Sequence, residues 1–189
     1  MKVVAFFGSP RIGGNTDILL QEALKPIKAA GHEVVQYNLN AMNIRPCQDC
    51  GGCTETGVCV VNDDMKDIYE SIRTGSRFII ASPVFFYSVS AQAKAMIDRC
   101  QAFWCEKYLL QKDIPAGQHG RKGLLLVAAG MKKEDAVKCA DTVAKIFFRT
   151  ISVPKHEMVS ALGAENKGDI LGHGDALKEA LEAGRRLVE

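Results

Sequence analysis

No apolar run in this sequence approaches the ~20 residues that cross a bilayer, which argues against a membrane-spanning protein. No basic run stands apart either: 24 Lys and Arg are mixed along the chain with 22 Asp and Glu, so neither nucleic acid nor an anionic membrane is expected as a partner. The opening residues read as a strand, not as a charged segment followed by an apolar one. No signal peptide is therefore expected, and a cytoplasmic protein is. The sequence also lacks the glycine spacing of a dinucleotide fold and the Gly-Lys-Ser/Thr ending of a nucleoside triphosphate loop. No Ser-His-Asp or paired-carboxylate constellation stands out, which disfavours hydrolysis, and His32, His119, His156 and His173 show no ligand spacing. Internal repeats, low-complexity tracts and linkers are missing. A chain of 189 residues is expected to form one domain over residues 1–189 around a single sizeable core.

Cysteine is what the chain does have. Four of its seven cysteines, Cys47, Cys50, Cys53 and Cys59, fall within thirteen residues at the spacing C-x2-C-x2-C-x5-C. An odd number with most of them clustered fits metal or redox chemistry better than a disulfide framework. Ligands two residues apart on a tightly coiled backbone can cap neighbouring corners of a cubane iron–sulfur cluster, and the fourth needs only a short further loop. Gly51, Gly52 and Gly57 let the backbone curl closely round such a core. Four thiolates also suit a tetrahedral zinc site, although zinc motifs usually set two C-x-x-C pairs farther apart. Zinc and idle thiols stay open as alternatives. Cys100, Cys105 and Cys139 fall on predicted helices and read as buried small hydrophobes.

Strand and helix patterns alternate along the rest of the chain. Strands are predicted over residues 2–7, 33–37, 77–82, 123–129 and 153–160, and helices over 15–30, 64–74, 91–105, 134–150 and 174–188. Asn15 reads as the cap of the first helix and Pro26 as a kink within it. This alternation predicts an α/β fold, a flavodoxin-like three-layer α/β/α sandwich whose five-stranded parallel sheet has the order 2-1-3-4-5. Two stretches break the pattern. A cysteine-rich loop at about 39–63 carries no periodicity, and loops that long tend to be functional. The polar stretch from 106 to 122 is a candidate lid or oligomer contact.

Open parallel sheets bind ligands at the carboxyl ends of their strands, where the strand order reverses. After the first strand comes Gly8-Ser9-Pro10-Arg11-Ile12-Gly13-Gly14-Asn15-Thr16. Its hydroxyls, amide, guanidinium and helix-start N–H groups suit a phosphate monoester, and so a mononucleotide. After the third strand, Pro83, Val84, Phe85, Phe86 and Ser88 offer a proline turn and aromatics to a flat ring. After the fourth, Ala129 and Gly130 are small enough to let that ring approach. A polar turn and ordinary core packing remain the plainer explanations of each segment taken alone.

With Gly8-Ser9-Pro10-Arg11, Gly14-Asn15-Thr16, Pro83-Val84-Phe85-Phe86, Lys94, Asp98-Arg99 and Lys167-Gly168-Asp169, the whole chain resembles the flavodoxin-like NADPH-dependent FMN reductase superfamily. Its cysteine block, followed by Asp63-Asp64-Met65, resembles the iron–sulfur flavoprotein branch. The resemblance implies an FMN-dependent oxidoreductase passing electrons between a [4Fe-4S] cluster and FMN. The phosphate would lie near Ser9, Arg11, Asn15 and Thr16, the isoalloxazine near Pro83 to Phe86 and Ser88, and the cluster on Cys47, Cys50, Cys53 and Cys59. It also implies a homodimer or homotetramer, served by a one-electron carrier such as ferredoxin or by NAD(P)H, with a small-molecule acceptor. The alternatives are an NAD(P)H-dependent FMN or quinone reductase without a cluster, and a non-enzymatic FMN- or zinc-binding module that senses redox state.

Overall fold

The computed structural model describes residues 1–112 and 120–189. Its strands are β1 (Lys2–Phe7), β2 (Glu33–Asn38), β3 (Arg77–Pro83), β4 (Lys122–Ala129) and β5 (Lys155–Leu162), all parallel and ordered β2-β1-β3-β4-β5. Helices α1 (Asn15–Ala29) and α6 (Gly174–Val188) cover one face. The other is covered by α2 (Met65–Thr74), α3 (Ala91–Arg99), the short α4 (Gln101–Trp104) and α5 (Asp135–Thr150).

A sheet covered on both faces needs strands that are apolar at nearly every position, and the pleat then sorts neighbours to opposite sides. Val3, Ala5 and Phe7 of β1 join the core under α1 and α6, whereas Val4 and Phe6 join the core under α2, α3 and α5. Leu124 and Leu126 of β4 go to the first and Leu125 and Val127 to the second. The helices α1 and α6 meet closely: a Cβ at Gly184 would stand 2.1 Å from the Ala23 carbonyl oxygen.

Several expectations need correction. Asn15 does not cap α1. Gly14 holds that position in an extended conformation, without a side-chain cap, because the Asn15 amide is engaged elsewhere. The helix runs on through Pro26 to Ala29. The helix expected over 91–105 is broken at Cys100, whose N–H turns back to the Ile97 carbonyl at 2.9 Å. After α4 the chain enters a π-turn, Cys105–Leu109, closed by Leu110 N–H to the Cys105 carbonyl at 3.0 Å. The last strand begins two residues later than expected and ends two later. Ile151 and Val153 are buried but finish α5, since Val153 N–H bonds to Phe148 and Ser152 adopts a left-handed φ of 62°. Of the stretch from 106 to 122, residues 113–119 lie outside the described residues. Glu106 is pinned to Arg73 by two hydrogen bonds of 3.1 and 2.6 Å.

Candidate functional site

The carboxyl ends of β1, β3, β4 and β5 open on one cleft of about 170 Å³. β1 and its loop contribute Ser9, Arg11, Gly14, Asn15 and Thr16. Gly13 turns the loop at a φ of 66°, its amide donating to Asp17 at 2.8 Å, and Ser9 Oγ accepts the Arg11 N–H at 3.1 Å. With no side-chain cap hydrogen bond at the start of α1, the orphan amides and positive dipole end of that helix are available to an anion. Arg11 and Lys167 add formal positive charge.

Buried hydroxyls hold the loops after β1 and β3 together. Ser90 Oγ donates to the Gly8 carbonyl at 2.6 Å, and Ser90 N–H donates to Ser82 Oγ at 2.9 Å. Gly8 is required for this approach, because a Cβ would lie 2.9 Å from both Ala93 Cβ and Ser90 Oγ. Pro83, Val84 and Phe85 then form the apolar wall, and Val84 N–H ties that wall to the Ala128 carbonyl at 2.9 Å.

The predicted ring contacts are brought together only in part. Phe85 and Ser88 exchange two 3.0 Å backbone hydrogen bonds across a tight turn, with Phe86 at φ 48° and Tyr87 at φ 65°. Such turns normally use Asn-Gly, and a non-glycine residue held there costs about 1–3 kcal/mol. Phe86 points fully into solvent, and neither it nor Ser88 lines the cleft. Ala129 is buried with its carbonyl accepting from Gly163 and Ala164. Gly130 does line the cleft, but the space a Cβ would fill is taken by the Glu165 carboxylate, 1.5 Å from that ideal position. A ring resting on Gly130 has to displace the exposed Glu165 side chain.

Asn15 serves the cleft by fixing its far wall. Its Nδ2 donates to the carbonyls of Ala164 and Asn166 at 3.1 and 2.8 Å, while Oδ1 accepts from Gly168 at 2.9 Å and Ile170 at 3.3 Å. That wall, the loop after β5 with Ala164, Glu165 and Lys167, is what sequence reasoning left out of the site. The string Lys167-Gly168-Asp169 was the available signal.

The cysteine loop is closed like a noose. Arg99 donates through Nη1 to the Arg45 carbonyl at 2.8 Å and through Nη2 to the Val61 carbonyl at 3.3 Å, gripping the chain just before Cys47 and just after Cys59. The same guanidinium forks onto Asp63 at 2.6 and 3.2 Å, and both side chains are 1% exposed. Asp63 also accepts from the amides of Arg45 and Met65. Burial alone would raise the Asp63 carboxyl, but Arg99 and these amides outweigh it and hold it below its ordinary range. Burial would likewise raise the Cys59 thiol, yet the Val61 amide, Arg99 and Tyr69 bring it below its ordinary value. Arg99 Nε is buried with no hydrogen-bond partner.

Cys47, Cys50, Cys53 and Cys59 line one cavity of about 50 Å³ beside Arg99 and Gln101. Gly51 and Gly57 turn the loop at φ 71° and 74°, and a Cβ at Gly57 would strike Glu106 Cβ at 2.8 Å. Among the described residues no three His, Cys, Asp or Glu side chains converge closely enough to hold a single metal ion as they stand. The thiols surround a space instead of a point. Four thiols around a glycine-turned loop, with a buried guanidinium at its base, form a donor set that fits an anionic iron–sulfur core. Cys105 lines this cavity as well, and burial, then contact with Cys105, pushes the Cys53 thiol up to about 11. Cys139, expected to be buried, is exposed, and Phe103 is buried against Tyr69.

Residues 1–164 match the family described as NADPH-dependent FMN reductase. An iron–sulfur flavoprotein of Archaeoglobus fulgidus is 35% identical over 137 residues, covering 72% of this chain and 59% of that protein. Another, from Methanocaldococcus jannaschii, is 30% identical over 155 residues, covering 82% and 74%. The chain thus spans only 59% and 61% of the first two curated relatives it matches. Among solved structures, an NAD(P)H:quinone oxidoreductase from Methanothermobacter marburgensis superposes with a TM-score of 0.73 at 20% identity, covering 100% of this chain and 96% of the other. An FMN-dependent NADH-azoreductase from Bacillus anthracis, solved with FMN, gives 0.71 at 16% identity over 100% and 99%. At these identities the solved structures bear on the fold.

Proposed function

The chain belongs to the NADPH-dependent FMN reductase family, in its iron–sulfur flavoprotein branch, and from that premise we propose that it is an FMN-dependent oxidoreductase with two separate redox sites. Bound in them, FMN would exchange electrons singly or in pairs and a [4Fe-4S] cluster singly, which suits a junction between a one-electron carrier such as ferredoxin and a small-molecule acceptor. The observation that carries this reading is that all four cysteines of the compact motif line one cavity, closed at its base by the buried Arg99–Asp63 pair.

The chain's own residues divide the work. Ser9, Thr16, Arg11 and Lys167 bind the flavin phosphate at the start of α1, and Asn15 sets the distance to the loop after β5. Pro83, Val84 and Phe85 shield one side of the ring from water. Cys47, Cys50, Cys53 and Cys59 would hold the cluster through their thiolates. Arg99 holds both ends of their loop and favours the thiolate of Cys59. A closed homodimer or homotetramer would cover the exposed Phe86, Tyr87 and Trp104.

A second reading, an NAD(P)H-dependent reductase without a cluster, is favoured by one observation: no cysteine lines the flavin cleft, so that cleft is complete without them. Cys59→Ala separates the two. On the first reading the variant retains FMN and bleaches with dithionite, while ferredoxin-driven flavin reduction falls sharply. Unchanged ferredoxin-driven reduction would reject the first reading.

A further inference from the structure

The sulfurs of Cys53 and Cys105 are 3.7 Å apart, although 52 residues separate them in sequence. This is the one sulfur–sulfur hydrogen bond among the described residues. Cys105 is 2% exposed and opens the π-turn Cys105–Leu109, a rare local geometry that is frequently found at functional sites. It faces the same cavity as the four clustered cysteines, and Gln101 Nε2 donates to its sulfur at 3.8 Å. A disulfide sets its sulfurs about 2.05 Å apart. The pair needs to close by less than 2 Å, a movement of the order that side-chain torsions supply. Cys53 is partly exposed and Cys105 is buried, so the first is within reach of a solvent oxidant and the second is not.

We propose that Cys53 and Cys105 form a reversible disulfide when the cysteine loop carries no cluster. A hydroperoxide takes two electrons from one sulfur of the pair, leaving a sulfenic acid and releasing the alcohol, or water when the oxidant is hydrogen peroxide. The other sulfur then attacks it, the S–O bond breaks, the S–S bond forms, and the hydroxyl leaves as water with the thiol proton. Two electrons in all have passed from sulfur to peroxide. The product withholds Cys53 from iron and protects it from irreversible oxidation, because a sulfenic acid with no resolving thiol goes on to sulfinic acid under excess peroxide. A dithiol reverses it. The consequence for cluster uptake rests on the reading of the cysteine loop given above, whereas the disulfide itself requires neither iron nor flavin.

The test uses the full chain, stripped of metal by chelation under argon with a reductant that is then removed. After excess hydrogen peroxide, remaining thiols are alkylated and the peptides are mapped without reduction. The expected result is a peptide pair joined through Cys53 and Cys105, its mass lower by two hydrogens and restored by dithiothreitol. In Cys105→Ser, Cys53 should instead be recovered as sulfinic acid that dithiothreitol does not reverse. Peptide maps that join Cys53 to Cys47, Cys50 or Cys59, or that leave it unlinked in the unaltered chain, would overturn the proposal. A linked pair in a chain that never accepts iron would uphold the disulfide and refute only the cluster.

Discussion

Replacing Arg99 by Met leaves a carboxylate buried at 1% exposure without its cation, and strips the Arg45 and Val61 carbonyls of the donor that closes the cysteine loop. Breaking a buried ion pair by removing one partner costs ~3–5 kcal/mol. For a chain of this size each kcal/mol moves Tm by ~2–4 °C, so the apoprotein should melt about 6–20 °C lower at neutral pH. Asp63→Asn, which keeps one acceptor oxygen where Asp63 offers one each to the amides of Arg45 and Met65, should also destabilise the apoprotein. The double variant should be less unstable than the sum of the two, since no uncompensated charge remains. The pH dependence supplies the sharper check. In the natural chain the folded Asp63 carboxyl is depressed, so its stabilisation is complete above the ordinary carboxylate value of ~3.9 and is lost as pH falls through the depressed one. In Arg99→Met only the amides of Arg45 and Met65 oppose burial, so that carboxyl rises and the variant gains less stability than the natural chain as pH rises. The gap in Tm should therefore widen from pH 4 to pH 7. Calorimetry of metal-free protein at both pH values decides it, and a gap that stays within about 2 °C at pH 7, or that narrows with rising pH, would refute the reasoning.

Four further outcomes follow from single side chains. Arg11→Ala removes a charge-assisted contact worth ~1.5–3 kcal/mol, so FMN should bind about tenfold more weakly or worse by fluorescence titration, and riboflavin should bind far less well than FMN to the natural chain; equal affinity for the two flavins would sink the phosphate assignment. Glu165→Gln removes a negative charge from the cleft and should tighten FMN binding, whereas unchanged affinity would show that this carboxylate stays clear of the ligand. Tyr87→Gly relieves a left-handed φ of 65° and should raise Tm, by the few degrees that ~1 kcal/mol represents. Gly184→Ala pushes a Cβ to 2.1 Å from a backbone oxygen that has no side-chain freedom, and should lower stability by ~1–3 kcal/mol in urea titration; a neutral result would mean that α1 and α6 are not packed this tightly.

The sheet was legible in the sequence because strands buried on both faces leave unbroken apolar runs, and the runs ending at Phe7, Ser82 and Ala129 placed three of the cleft's loops. What escaped is non-local or departs from helical period. Asn15 has the residue type of a cap, and nothing nearby in sequence says that its amide binds a loop about 150 residues away. Arg99 and Asp63 stood out only as parts of motifs, and their pairing across 36 residues follows from the loop wrapping back onto α3. The apolar pair Ile151 and Val153 drew the last strand forward by two residues, which hid the Glu165 and Lys167 wall behind a misplaced strand end. Cys105 fitted a buried helical position, as it does, but a π-turn leaves no periodic trace, and neither does a sulfur contact with Cys53.

The most direct measurement of the two-site arrangement is the content of iron, acid-labile sulfide and FMN in protein purified without oxygen. Two separate redox sites predict about four iron and four sulfide with one FMN per chain, and a Cys53→Ala protein that loses the iron and sulfide while keeping the FMN. A single zinc or iron without sulfide, or full iron content in Cys53→Ala, would contradict it.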